Sequence, residues 1–145
     1  MSARPAPPSA GPLPDSEFTR SLGMTTTRCQ DGVCVIEVEL EPRHMSVAGR
    51  AHGGVLFTML DTAMGRAVIT RLPPGRGCAT VEAKINYLRP VQGGRIRAEG
   101  RALDLTRRTA YAEGTVFDEE DRVLARSSGT FFLTDTVEQA ERERV

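Results

Sequence analysis

The segment at residues 53–68 limits what this chain can fold into more than any other part of the sequence. Its apolar residues recur at helical spacing and cover more than half of the helix circumference. They are Val55, Leu56, Met59, Leu60, Ala63, Met64, Ala67 and Val68. A helix that is apolar on most sides has to be buried on most sides. A chain of 145 residues achieves this by wrapping a curved sheet around the helix.

Strand patterns surround this helix on both sides. Before it, the sequence predicts a short helix that starts with a cap at Asp15 or Ser16, and then a strand from near Met24. Asp31-Gly32 predicts a hairpin turn into a half-buried strand at residues 33–40. After it, strands are predicted at residues 81–87, 96–105, 109–117 and 123–133. This order predicts an α+β fold, in which one antiparallel sheet packs on one long helix.

One of these strands carries small side chains on a single face. In residues 109–117 that face consists of Ala110, Ala112, Gly114 and Val116. Small residues at this spacing predict the close approach of another element. The central helix is the expected neighbour.

The two ends of the chain differ in composition from its middle. Residues 1–14 are rich in Pro, Ala, Gly and Ser, which predicts a flexible tail. Residues 135–145 form a charged C-terminal tail, so a single domain is expected at residues 15–134. The N-terminal residues lack the apolar core of a secretory signal.

The net charge and the cysteine content indicate which binding partners and which cellular compartment are expected. The formal net charge is zero, which argues against a general attraction to nucleic acid or to an anionic membrane. No apolar run approaches membrane-spanning length. The three cysteines are odd in number and lack CxxC spacing, so neither a disulfide framework nor a zinc site is expected. A reduced, cytoplasmic setting fits this pattern best.

Asp61 is the one carboxylate in the middle of the apolar helix. Burying a carboxylate is unfavourable unless it is paired or solvated. One interpretation is that Asp61 is the reactive group of an active site. The other is that it lies on a narrow polar stripe of the helix with Thr58, Thr62 and Arg66.

The spacing of His52 and Asp61 bears on how a site could be assembled. Nine residues of a straight helix separate two side chains by about 13–14 Å along the axis and by about half a turn. The two residues therefore cannot touch within one helix. If both act in one site, a two-fold-related subunit has to supply one of them, which predicts a dimer with its site at the interface.

His52-Gly53-Gly54 lies where the central helix begins. Backbone N–H groups at a helix N-terminus lack internal partners and carry the positive end of the helix dipole. Glycine lets a carbonyl oxygen approach these groups closely, as in an oxyanion hole. The alternative is a flexible junction between loop and helix, since the motif is short.

Several segments together identify a family. They are HMSVAGRAHGGVLFTMLDTAMGRAV, AKINYLRPV, GRIRAEGRAL and RRTAYAEGTVFDEEDRVLARSSGTFF. Over residues 16–134 the chain resembles the hotdog-fold acyl-CoA thioesterases of the phenylacetic-acid-degradation type. The resemblance implies a hotdog fold, in which a curved antiparallel sheet wraps one long central helix. It also implies hydrolysis of an aryl- or medium-chain acyl-CoA to the free acid and CoA. No metal or cofactor is expected, because coenzyme A is part of the substrate.

The resemblance also implies roles for single residues. Asp61 matches the catalytic carboxylate, acting as general base or nucleophile, and the backbone N–H of Gly53 matches the donor that polarises the thioester carbonyl. His52 matches the histidine that positions the loop and the leaving thiol. Thr80 falls where the family has a Ser or Thr that orients the water or the carboxylate. The family's aspartate faces the His-Gly loop of the partner subunit, so a homodimer is implied, with tetramers formed by pairs of dimers.

Substrate-binding residues follow from the same resemblance. Gly54 belongs to the glycine loop, and Arg89, Arg107 and Arg108 are the candidates for the phosphates of coenzyme A. Ser46 is a departure, since the family often has Asn at this position, whose amide helps to bind the carbonyl. A serine hydroxyl is a shorter donor, which puts the second oxyanion donor in doubt.

Other functions fit the same sequence. A non-catalytic acyl-CoA-binding protein with the same fold is the main alternative, with Ser46 marking lost catalysis. A dehydratase is less favoured, because His44 and His52 are the only histidines and neither forms an Asp-x-x-x-x-His pair. A purely structural module would leave Asp61 unexplained.

Overall fold

The computed structural model describes residues 14–135. Its elements in chain order are α1 (Glu17–Ser21), β1 (Thr25–Gln30), β2 (Val33–Glu39), a short 3-10 helix (Pro42–His44), α2 (Gly53–Ile69), β3 (Gly77–Tyr87), β4 (Arg95–Leu105), β5 (Thr109–Phe117) and β6 (Val123–Thr134). The predicted α+β arrangement of one sheet on one long helix is confirmed. The tails predicted for residues 1–14 and 135–145 lie outside the described residues, apart from one residue of each.

All six strands form one sheet in the order β1-β2-β4-β5-β6-β3, and every neighbouring pair is antiparallel. The predicted turn between β1 and β2 is present, and both of its residues have positive φ, 53° at Asp31 and 78° at Gly32. This conformation matches the twist of a tight hairpin. Strands β1 and β3 are the two edges of the sheet.

Helix α2 packs on the inner face of the sheet and forms the centre of the core. All eight of its predicted apolar positions are buried. They are joined by inward-facing residues of the strands, among them Ile36, Val38, Ile96 and Phe131. The apolar pattern of the sequence therefore identified both the helix and its burial correctly.

Two glycines let α2 lie directly on the strands. A side chain at Gly114 of β5 would begin 2.8 Å from Leu60 Cδ2, so the close approach predicted for this strand is confirmed. At Gly100 of β4 the fit is tighter, because a Cβ there would lie 2.4 Å from the backbone carbonyl of Ala63. This contact of Gly100 was not predicted from the sequence.

A buried ion pair ties the start of the domain to α2. Ser16, one of the two predicted caps, caps α1 by accepting a hydrogen bond from the Thr19 N–H. Asp15 instead accepts from Arg66 at 2.8 Å and from the Thr26 hydroxyl at 2.6 Å. Burial by itself would raise the pKa of Asp15, but the Thr26 hydrogen bond and the Arg66 charge outweigh it and lower the pKa.

Replacing Asp15 by asparagine is expected to lower the free energy of unfolding by about 2 kcal/mol at pH 7, because a buried charge-assisted hydrogen bond is lost. A carboxyl with a lowered folded-state pKa stabilises the fold above its unfolded value of about 3.9. That stabilisation is lost as the pH falls through the lower folded value. Urea titrations between pH 7 and pH 2 measure the free energy of unfolding of both proteins. The difference between wild type and variant should shrink at acidic pH. A gap that stays constant down to pH 2 would contradict this account.

Candidate active site

A short hairpin leads into α2 and holds its start in place. Met45 and Ala51 form a β-bridge, and Gly49, with φ of 76°, donates to the Ser46 carbonyl inside it. The Ala51 N–H donates to the carbonyl of Val91, which anchors the hairpin to the β3–β4 connection. The loop before α2 is therefore held at several backbone positions.

His44 is a structural residue within this loop. Its side chain is fully buried, its Nδ1 accepts from the Glu41 N–H, and its Nε2 donates to the Leu22 carbonyl. Its own carbonyl accepts from the His52 N–H at 2.8 Å. With both ring nitrogens engaged in this way, His44 serves as a structural support for the loop.

The first turn of α2 offers one backbone donor. His52 is the N-cap residue, and its Nδ1 accepts from the Gly54 N–H at 2.8 Å. The N–H of Gly54, a predicted substrate-binding residue, is thus already engaged within the chain. The Gly53 N–H finds no acceptor among residues 14–135. Its position at the positive end of the helix dipole suits an oxygen that gains negative charge.

Asp61 lies half-buried two turns further along α2. Its Oδ1 accepts a hydrogen bond of 2.7 Å from the Thr80 hydroxyl on β3, so the structure brings these two predicted residues together. The polar stripe considered for Asp61 does not include Arg66, because that side chain is buried and directed at Asp15. Thr58 donates to the Gly54 carbonyl instead of contacting Asp61.

A β-bulge in β3 explains why Thr80 faces the helix. The register between β3 and β6 shifts between Thr80 and Glu82, so Val81 is the extra residue. Cys78 and Thr80 before the bulge contact α2, and Tyr87 beyond it does too. Alternation in the sequence predicts a shared face for Val81, Ala83, Ile85 and Tyr87. That prediction does not hold for Val81, which is the extra residue of the bulge and is 64% exposed.

Cys78 lies beside the carboxylate but is a poor nucleophile. Burial, with a contribution from the negative charge of Asp61, raises the pKa of Cys78 to about 11. The thiol therefore stays protonated at neutral pH, and it donates weakly to the Gly65 carbonyl. This leaves Asp61 as the candidate reactive group of this region.

The two halves of the predicted site lie apart within one chain. Gly53 is near Tyr87 at one end of β3, and Asp61 is near Thr80 toward the other end. Eight residues of α2 place Gly53 and Asp61 about 12 Å apart along the helix axis. A single chain therefore presents a carboxylate at one place and a backbone donor at another.

The three arginines predicted to bind phosphate lie at the two different ends of the sheet, one near Gly53 and two near Asp61. Arg89 follows the end of β3 that contacts Gly53, and its guanidinium donates to the Val123 carbonyl. Arg107 and Arg108 are exposed in the β4–β5 turn. The Arg108 carbonyl accepts from Leu133, whose pairing partner in β3 is Cys78. These two arginines thus belong to the Asp61 end of the sheet.

Ser46 contributes a buried hydroxyl to the loop. Its Oγ has no hydrogen-bond partner among the described residues. A buried hydroxyl without a partner is unfavourable, so this oxygen has donor capacity left for a ligand. It cannot reach as far as the amide of an asparagine would.

Two other classes of site are absent from residues 14–135. No group of three or more His, Cys, Asp or Glu side chains in this range is arranged to hold a metal ion. None of its helices is long and apolar enough to cross a membrane.

The chain is similar in sequence to thioesterases. Residues 48–125 match the sequence profile of the thioesterase superfamily. The proofreading thioesterase EntH of Klebsiella pneumoniae is 30% identical over 108 residues, which cover 74% of this chain and 79% of EntH. The matched profile includes every candidate site residue except Ser46.

Solved structures agree with this match. A conserved protein of Pseudomonas aeruginosa has a TM-score of 0.80 at 31% identity, covering 83% of this chain and 95% of that one. The phenylacetic acid degradation protein PaaI of Thermus thermophilus, solved as a point mutant, has a TM-score of 0.74 at 30% identity. That alignment covers 81% of this chain and 98% of PaaI.

Proposed function

Because this chain belongs to the thioesterase superfamily and has its hotdog fold, we propose that it hydrolyses acyl-CoA thioesters to the free acid and CoA. The acyl group is an aryl or medium-chain acyl group. The observation that carries the proposal is the half-buried Asp61 carboxylate, which Thr80 orients by a hydrogen bond of 2.7 Å. The proposed reaction uses no metal or cofactor, since coenzyme A is part of the substrate.

In the proposed mechanism Asp61 either takes a proton from the water that attacks the thioester carbonyl, or attacks that carbonyl itself to form a mixed anhydride that water then hydrolyses. The Thr80 hydroxyl occupies one carboxylate oxygen and leaves the other for the reaction. The Gly53 N–H stabilises the negative charge that develops on the carbonyl oxygen. The thiolate of CoA then leaves. It is a good leaving group because thiolates are weak bases, since thiols have pKa values of about 8.5.

The acyl group has an apolar surface available beside Asp61. Phe57 lies one turn before Asp61 on the same face of α2, and its side chain is 38% exposed. Met59 and Met64, on the same helix, are fully buried in the core and are not available to a ligand. Phe57 is therefore the helix residue that we expect to contact the acyl group.

A second copy of the chain completes this site in our proposal. Strand β3 is eleven residues long, pairs only with β6 among residues 14–135, and carries exposed apolar side chains at Val81 and Tyr87. Long apolar edges of this kind are covered in natural proteins, because they otherwise invite aggregation. A two-fold pairing of β3 with the partner's β3 covers both edges.

The register of that pairing determines which residues meet. With the two-fold axis at Lys84, and with Val81 as the extra residue of the bulge, Thr80 lies opposite the partner's Tyr87. Thr80 hydrogen-bonds Asp61, and Tyr87 hydrogen-bonds Gly53. This register therefore brings Asp61 toward the partner's Gly53. His52 and Asp61, which are too far apart to meet within one chain, then meet in a site that two subunits share.

The same register brings the three candidate phosphate-binding arginines close to one site. Arg107 and Arg108 belong to the Asp61 end of one subunit, and Arg89 belongs to the Gly53 end of the other. In the dimer both groups flank one composite site, where they would bind the phosphates of coenzyme A. We further propose that dimers pair into tetramers. The outer face of the sheet offers exposed apolar side chains for this contact, at Leu103, Tyr111 and Phe132.

A panel of aryl- and medium-chain acyl-CoA thioesters, with thiol release as the signal, tests the proposed reaction. Size measurement on the active fraction tests the dimer in the same samples. We expect turnover of at least one thioester class by a dimer or tetramer. Tight binding of acyl-CoA without thiol release would contradict the proposal and favour the non-catalytic binding protein. That alternative is supported by Ser46, whose hydroxyl replaces a longer amide donor.

A further inference from the structure

Tyr87 contacts the start of α2 from the end of β3. Its hydroxyl donates to the Gly53 carbonyl at 2.7 Å. A Cβ at Gly53 would lie 3.0 Å from both the Tyr87 Cζ and the Tyr87 hydroxyl oxygen. The phenol thus packs against the bare α-carbon of the residue that supplies the backbone donor.

The Gly53–Gly54 peptide group is held from both sides. Tyr87 donates to its carbonyl oxygen, and His52 Nδ1 accepts from its N–H. Glycine has the widest conformational freedom of any residue, so two successive glycines at a helix start can rotate their peptide planes. Contacts at both ends of this peptide remove that freedom.

We propose that Tyr87 is a positioning residue for the Gly53 N–H, holding the first turn of α2 so that this donor is aimed at the reacting oxygen. The inference rests on the proposed hydrolysis of a thioester. Hydrogen bonds weaken steeply when donor and acceptor are misaligned. A donor that stabilises an oxyanion must be fixed before the charge develops, since reorientation during the reaction forfeits part of the stabilisation.

The chemistry of the phenol suits this role. Burial raises the pKa of Tyr87 above its ordinary value, so the group remains a hydroxyl donor at neutral and mildly alkaline pH. The other tyrosine of the chain differs in its contact. Tyr111 donates to Glu113 on β5, away from the start of α2, and so provides a matched control.

Tyr87→Phe removes the hydroxyl and keeps the ring. We expect kcat to fall about tenfold, because small misplacements of catalytic groups lower the rate strongly. KM should stay within about twofold, since the donor interacts more strongly with the transition state than with the substrate. The midpoint of thermal unfolding should not change, and Tyr111→Phe should match wild type in all three quantities. A wild-type kcat for Tyr87→Phe would overturn the inference while leaving the proposed hydrolysis intact.

Amide hydrogen exchange followed by NMR gives a readout that is independent of activity. In Tyr87→Phe the Gly54 amide should exchange about tenfold faster, as local opening of the first turn becomes easier. Amides in the middle of α2 should keep their wild-type rates. An unchanged exchange rate at Gly54 would overturn the inference. This readout can be obtained even if the wild-type protein hydrolyses no thioester and the proposed function fails.

Discussion

Replacing Asp61 by asparagine is expected to lower kcat for thioester hydrolysis by about 10²–10⁴-fold, the range associated with loss of a general base. Asparagine has nearly the same shape and can still accept the Thr80 hydrogen bond, which measures 2.7 Å in the wild-type chain. What it lacks is the negative charge and the basicity. Steady-state assays with the best thioester of the panel measure this effect.

The fold of the Asp61→Asn variant should be retained. Asp61 is half-buried and lies outside the apolar core, so the midpoint of thermal unfolding should stay close to the wild-type value. Asp104→Asn, which changes an exposed aspartate of β4, serves as the matched control and should keep full activity. An Asp61→Asn enzyme with wild-type kcat would remove Asp61 from the mechanism.

Among the glycines of residues 14–135, Gly100 is the one at which an added methyl group is expected to lower stability most. The new Cβ would lie 2.4 Å from the Ala63 carbonyl and 2.6 Å from the Met64 nitrogen. Both are backbone atoms of α2, so the clash cannot be relieved by turning a side chain. The helix has to move away from β4, and we expect a loss of about 3 kcal/mol, at the upper end of typical overpacking.

For a chain of this size that loss corresponds to a midpoint of thermal unfolding lowered by about 10 °C. Gly93→Ala is the matched control, because Gly93 has open space where a Cβ would be added. Its unfolding midpoint should equal that of wild type. Equal midpoints for Gly100→Ala and wild type would mean that α2 does not lie directly against β4.

The helix and the sheet were predictable because their signals are repeated many times. Eight apolar positions at helical spacing indicated α2, and each proved buried. Alternation in residues 33–40 indicated β2 in the same way. Gly114 was predictable as a contact with the helix, since it lies among small residues on one face of β5.

The bulge at Val81 was not predictable, because a single extra residue leaves the alternation on either side unchanged. It nevertheless turns Thr80 toward Asp61 and leaves Val81 exposed. Gly100, by contrast, lies between Ala98 and Ala102 on the buried face of β4, and this run of small residues is a signal that could have identified its contact with the helix. The contact of Tyr87 with Gly53 joins residues 34 positions apart, and only the folded chain brings them together.

The composite site is the central claim, and a subunit-mixing experiment tests it. One chain carries Asp61→Asn and the other Gly53→Pro, which removes the backbone donor and also displaces the Tyr87 ring, since the added Cβ would lie 3.0 Å from it. Proline is tolerated at the first position of a helix. The extended backbone of His52, with ψ of 134°, suits a residue that precedes proline. Both homodimers should be nearly inactive.

The heterodimer, co-expressed with two different tags and purified through both, is the species to assay. If Asp61 works with the partner's Gly53, each heterodimer contains one site with both groups intact, and its kcat per dimer should be about half of wild type, since one of two equivalent sites is restored. If Asp61 worked with the Gly53 of its own chain, every site would carry one mutation. A heterodimer as inactive as its two parents would contradict the shared site.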